Sequence, residues 1–148
     1  MWTGLKVMVG AVATAAALMA CTPAPTGTSV AMNVNASAGL NGGLPAKATV
    51  FYLTSTSAFN SSDYGSLASN PEAALGATLL KTQTVLLSPG QSKQLSASFD
   101  GDGPAAVGVM VGFKAISTAQ WRTTTAISSG TVNGLTVSIG AGSVKITK

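Results

Sequence analysis

The sequence predicts an all-β protein, a two-sheet β-sandwich with one short helical insertion. Three observations carry that expectation. Several segments alternate apolar and polar residues with a period of two, the signature of half-buried strands. Turn residues rich in Gly, Pro, Asn and Asp separate them at roughly 8–12-residue intervals. Only Ser57 to Ala77 breaks the alternation, with Ala58, Phe59, Tyr64 and Leu67 spaced nearer three and four.

Ser29 to Asn35 sets Val30, Met32 and Val34 on one face, opposite Ala31, Asn33 and Asn35. Ala36 to Ala46 follows as a Gly/Asn-rich loop, long for a hairpin connection, in which Leu40 and Leu44 read as exposed. Lys47 to Thr54 is a strand, with Val50 and Tyr52 opposing Thr49, Phe51 and Leu53; its aromatic and β-branched content supports the assignment. Within the helical excursion Asn70-Pro71-Glu72 reads as an N-cap followed by Pro at the first helical position. Leu75-Gly76 ends that helix, with Gly76 expected in a left-handed C-cap conformation.

Leu79 to Leu87 is the next strand, with Leu80, Thr82, Thr84 and Leu86 on one side and Lys81, Gln83, Val85 and Leu87 on the other. Ser88-Pro89-Gly90-Gln91 is a turn, after which Ser92 to Phe99 returns. Asp100-Gly101-Asp102-Gly103-Pro104 breaks the chain. Ala105 to Phe113 is apolar on both faces, as a central strand requires. Trp121 to Ile127 alternates, with Trp121 read as a core anchor; Tyr52 and Tyr64 read as packing residues with one wet end. Leu135 to Ile139 and Val144 to Ile146 form a last hairpin across Gly140-Ala141-Gly142. No internal repeat appears.

The amino-terminal segment predicts export. Met1 to Lys6 carries one basic side chain, and Val7 to Leu18 is almost wholly apolar. About 12 apolar residues are too few for a bilayer span, which needs roughly 20, and fit a signal peptide instead. Leu18-Met19-Ala20-Cys21 resembles the bacterial lipobox, although Met19 stands where a small or β-branched residue is commoner. That resemblance implies a signal peptide over residues 1–20, lipid on Cys21, and outer-membrane sorting, because Thr22 rather than Asp follows the cysteine. Residues 21–29 form a Pro/Thr/Gly tether, and residues 30–148 the folded domain. A lone cysteine is more often a small buried hydrophobe, but this one has no apolar periodicity around it to join.

Composition narrows the chemistry. Cys21 is the single cysteine, so no disulfide is possible within the domain, which must hold by core burial. The formal net charge is +4, with the basic residues scattered rather than clustered, so no nucleic-acid footprint is expected. There are 0 histidines, which removes the commonest general base and metal ligand. Asp100 and Asp102 sit like the start of a calcium loop, but no later carboxylate follows through Val111, so the segment reads as a solvated turn. No catalytic residue, metal site or cofactor site is expected, and the chain does not read as an enzyme.

The ordered motifs identify a resemblance to the TssJ/VasD family, the outer-membrane lipoproteins of the type VI secretion membrane complex. Its carriers are Cys21; Asn33-Val34-Asn35; Val50-Phe51-Tyr52-Leu53; Ala58-Phe59; Asp63 to Leu67; Leu75-Gly76; Leu87 to Gln91; Val107-Gly108-Val109; Phe113-Lys114; and Trp121-Arg122. The chain departs from the family where Arg often replaces Thr49 or Phe51, and where an acidic residue often replaces Ala115. The resemblance implies a transthyretin-like sandwich, no catalysis, and a role tethering the periplasmic domain of an inner-membrane (TssM-like) secretion protein to the outer membrane. It implies that the loop after the first strand makes the contact, through Leu40, Asn41, Leu44 and Pro45. Taken without the resemblance, that loop reads as a surface connection whose leucines pack back on the sandwich. A lipoprotein that binds a periplasmic ligand or carbohydrate is the alternative, and it would need exposed aromatic side chains.

Overall fold

Two four-stranded sheets face each other in the computed structural model, which describes residues 27–148. The segments expected as signal peptide and tether, apart from residues 27–29, lie outside the described residues, as does Cys21. The strands are β1 (Thr28–Ala36), β2 (Ala46–Leu53), β3 (Leu79–Leu87), β4 (Ser92–Phe99), β5 (Ala106–Val111), β6 (Arg122–Ala126), β7 (Val132–Ile139) and β8 (Val144–Thr147). One sheet has the order β4-β1-β7-β8, the other β3-β2-β5-β6. All neighbours are antiparallel except β1 and β7, which run parallel with Met32 opposite Leu135.

The period of two in β1 does what it predicts: Val30, Met32 and Val34 are buried and Ala31, Asn33 and Asn35 exposed. Those three meet Leu135, Val137 and Ile139 from β7, and Val50, Tyr52, Val107 and Val109 from the facing sheet. Burying such side chains on both inner faces is what stabilises a sandwich. β2 and β5 are buried on both faces, because the second sheet is covered outside as well. There three short helices, α1 (Ser57–Ser61), α2 (Tyr64–Ser69) and α3 (Pro71–Leu75), close a second core of Phe51, Leu53, Phe59, Leu67, Leu75 and Met110.

The helix caps follow the sequence. The Asn70 side chain accepts from Ala73 N, and Pro71 opens α3. Asp63 accepts from Ser66 N at 3.1 Å and Ser66 Oγ at 2.6 Å, capping α2. These bonds to the charged form hold the Asp63 carboxyl below its ordinary range. Gly76 differs from expectation. Its φ of 56° is positive but its ψ is −136°, so it is not left-handed helical. It turns the chain into a short 3-10 segment that delivers β3.

Three other expectations change, the first two because β3 to β4 and β1 to β2 are connections that cross between the sheets. The Ser88–Gln91 turn does not close a hairpin, since β3 and β4 belong to opposite sheets and pair with β2 and β1 respectively. The 36–46 loop is long because it too crosses between sheets. Its crossing folds Leu40 inward, 0% exposed, so Leu40 is a core residue rather than an exposed one. Tyr52 likewise has no wet end; it is fully buried and its hydroxyl donates to Gln83 Oε1 at 2.7 Å. Trp121 lies just before β6, half-buried, packed against both cores.

Candidate functional site at the loop pole

β1 sets two poles. Eight rises of about 3.3 Å between its nine residues separate its ends by roughly 26 Å. At the first pole Thr28, the residue seven places after Cys21, is clamped. Its hydroxyl donates to the carbonyls of Asp102 (2.8 Å) and Gly101 (3.2 Å) and accepts from Gly130 N (2.9 Å). The Asp100–Gly103 turn is therefore a fastener for the start of β1. Among the described residues no group of three potential metal-binding side chains occurs. The sequence held no sign of the Thr28 clamp, because its partners lie more than seventy residues away.

At the opposite pole four connections are laced together. Ser37 N donates to Ile139 O (2.9 Å), Gly90 N to Ser37 O (3.0 Å), and Gln120 N to Gly142 O (2.9 Å). Asn41 joins two of them. Its Oδ1 accepts from Lys114 N at 2.7 Å, and its Nδ2 donates to Pro45 O at 3.2 Å. The chain passes through positive φ at Asn41 (49°), Gly42 (66°) and Gly43 (92°), which only Asn and Gly adopt readily. That run bends the loop so that Leu40 points into the core while Leu44 stays 45% exposed. Pro45 is exposed beside it.

A shallow groove of about 270 Å³ opens between these loops, lined by Asn41, Gly42, Phe113, Lys114, Ala119 and Gly142 among others. Its walls are backbone, small side chains and one cation. No carboxylate lines it, so nothing in the groove can act as an acid–base pair. Leu44, exposed on the same loop, lies outside the groove lining. Of the four sequence-predicted contact residues, the structure leaves Leu44 and Pro45 on the surface, assigns Asn41 to holding the loop, and takes Leu40 into the core.

The aromatic side chains are spent elsewhere. Phe51 and Phe59 pack with ring centroids 5.4 Å apart, and Tyr52 meets Phe99 at 5.2 Å. Tyr64 stands edge-on to Trp121 at 5.3 Å, with the Arg122 guanidinium 4.7 Å from the Trp121 ring centre. Phe51, Phe59 and Tyr52 are buried, and Tyr64, Phe99 and Trp121 are half-buried against the two cores. Arg122, which the sequence reading left as a neighbour of Trp121, donates instead to the carbonyls of Phe59 (2.9 Å) and Ser62 and fastens the end of α1.

The order of these elements, a sandwich with an insert of three short helices after β2, corresponds to a known family. Its description is type VI secretion lipoprotein (VasD, EvfM, TssJ), and its sequence model matches residues 28–142. The chain belongs to the type VI secretion lipoprotein family. Solved structures agree on the fold of this lipoprotein. The T6SS lipoprotein TssJ1 from Pseudomonas aeruginosa is 23% identical, with a TM-score of 0.76 over 81% of this chain and 95% of that one. Lip of Serratia marcescens, a membrane-bound component of the type VI secretion system, is 22% identical, with a TM-score of 0.73 over 81% and 97%. A chain in the structure described as the T6SS protein TssM C-terminal domain from EAEC is 16% identical, with a TM-score of 0.65 over 81% and 98%. No curated protein matches the sequence significantly.

Proposed function

We propose that this lipoprotein is a non-enzymatic tether of the type VI secretion membrane complex. Cys21 carries the lipid that holds it on the periplasmic face of the outer membrane, and the loop pole grips the periplasmic domain of a TssM-like inner-membrane protein. The observation that carries the reading is the polarity of the fold. The chain leaves Cys21 and joins the domain at one end of β1, while the only exposed leucine among its described end loops, Leu44, stands at the other. A tether has to present its grip away from its anchor. Family membership and the solved structure that names a TssM domain support the same partner class.

The anchor is tested by Cys21→Ser. Labelled palmitate should no longer enter the protein, and membrane fractionation should move it to the soluble pool. Membrane retention equal to the parent would remove the anchor from the proposal. The grip is tested by calorimetry with the periplasmic domain of the TssM-like protein. Leu44→Ser and Lys114→Glu should each weaken binding, and unchanged affinity in both would place the contact elsewhere on the molecule.

A further inference from the structure

The edge of the second sheet is built to pair with itself. Gly112 N donates to Lys47 O at 3.0 Å, so odd-numbered residues of β2 turn their backbone groups toward β5 and even-numbered ones toward β3. The register sets Ala48 opposite Val85, Val50 opposite Gln83 and Tyr52 opposite Lys81. Lys81, Gln83, Val85 and Leu87 of β3 are thereby bonded to β2. Thr82, Thr84 and Leu86 point their N–H and C=O groups out of the sheet, and the register shift at Tyr52/Leu53 leaves Leu80 beside them as the extra residue of a bulge. Their side chains are exposed as well, Leu80 by 45% and Leu86 by 61%.

The sequence of β3, Leu79-Leu80-Lys81-Thr82-Gln83-Thr84-Val85-Leu86-Leu87, reads almost the same in both directions; only the Lys81/Val85 pair differs. We propose that β3 pairs antiparallel with β3 of a second copy of this chain, with the two-fold axis through Gln83. Thr82 then lies opposite Thr84 of the other copy in two hydrogen-bonded pairs, which makes about four new ladder bonds, and Leu86 faces the bulged Leu80 at each end. Leucine meets leucine and threonine meets threonine on the exposed face, the cross-strand matches that stabilise sheets. The two Lys81 residues sit roughly 13 Å apart, farther than the screening length of about 8 Å.

Neighbouring registers are worse. An axis at Lys81 sets two ammonium groups face to face. An axis at Thr82 or Thr84 leaves a leucine without an apolar partner. The competing edge, β4, is partly used: Ser96 O accepts from Gln83 Nε2 at 2.8 Å. On the other flank the two sheets are joined by the bridge between Gln120 and Ser143. β3 itself has nine residues and no proline; its bulge and Lys81 lie toward one end, which leaves Thr82 to Leu87 as a regular, uncharged edge.

The test is sedimentation of the mature protein in detergent, with micelles in large excess, across a concentration series. The parent should form a dimer whose fraction rises with concentration. Thr84→Pro should weaken dimerisation at least tenfold while keeping the melting midpoint within a few degrees, because the Thr84 N–H bonds nothing in the monomer and an edge tolerates proline there. Leu86→Lys should do the same by a side-chain route, should the proline variant fail to fold. The Leu80→Cys/Leu86→Cys double variant should form an oxidised dimer that the parent does not, and Lys81→Cys should not. A monomeric parent at all concentrations overturns the proposal. So does dimerisation of well-folded Thr84→Pro and Leu86→Lys at the parent's strength, or preferential crosslinking through Lys81→Cys.

Discussion

The ring of Phe59 rests directly on the backbone of Gly108: a Cβ at residue 108 would lie 3.0 Å from Phe59 Cζ. Two residues further along the same face comes Met110, and two beyond that Gly112, where a Cβ would fall 2.7 Å from the Tyr64 hydroxyl. β5 and its continuation thus offer a floor of Gly, Met and Gly on which α1 and the start of α2 sit. The absence of two side chains from a central strand is what admits a helical layer this close.

Gly108→Val should destabilise the protein by about 1–3 kcal/mol, the range for overpacking a filled core. The measurement is denaturant unfolding, repeated in a Phe59→Ala background. There the added methyls fill vacated space, so the loss should shrink. Equal losses in both backgrounds would show that Phe59 does not rest on residue 108.

Arg122→Ala should loosen the helical insertion more than the sandwich. Removal of the guanidinium leaves the carbonyls of Phe59 and Ser62 without their half-buried donor, a cost of about 1–3 kcal/mol. Limited proteolysis should then cut first between residues 57 and 77, with the strands still protected. Cleavage at the parent's rate would contradict the clamp.

Leu40 and Leu44 should separate cleanly. Leu40→Ala empties a fully buried site and should cost about 2–5 kcal/mol in unfolding free energy. Leu44→Ser, on the surface, should leave stability within about 0.5 kcal/mol while lowering affinity for the TssM-like periplasmic domain roughly thirtyfold, as loss of a 2 kcal/mol hot spot would. A folded Leu44→Ser protein that binds at full strength would show that Leu44 is not part of the grip.

Burial pushes the Tyr52 hydroxyl from its ordinary value of 10.0 up to about 12. The folded state therefore holds this proton more tightly than the unfolded chain. The resulting stability is complete below pH 10 and lost as the pH rises from 10 to 12. Melting midpoints measured across that window should fall more steeply for the parent than for Tyr52→Phe, which has no proton to lose. Parallel curves would place the alkaline loss on other groups.

The strand segments, the helical insertion with its Asn70 cap, and the turn positions were all legible in the sequence. Alternation, capping residues and Gly/Pro punctuation act over a few neighbours and leave a local trace. The inner-face positions Val30, Met32 and Val34 of β1 and Val50 and Tyr52 of β2 were legible for the same reason. The destination of each strand was not. Ser88–Gln91 has the chemistry of a tight turn whether the next strand rejoins its own sheet or the opposite one, and only the packing of both sheets together decides between them.

The loop pole divides along the same line. Its glycine content and its two leucines stood in the sequence, and the family resemblance marked the loop as a contact. Which leucine faces outward depended on the crossing between sheets and on the bond from Lys114 N to Asn41, residues 73 positions apart. The Thr28 clamp, the Arg122 fastening and the floor beneath Phe59 are likewise long-range contacts, set by tertiary structure alone. What the sequence determined by itself was the fold class and the candidate lipid-anchor motif at Cys21, because each rests on residue type and local order rather than on distant partners.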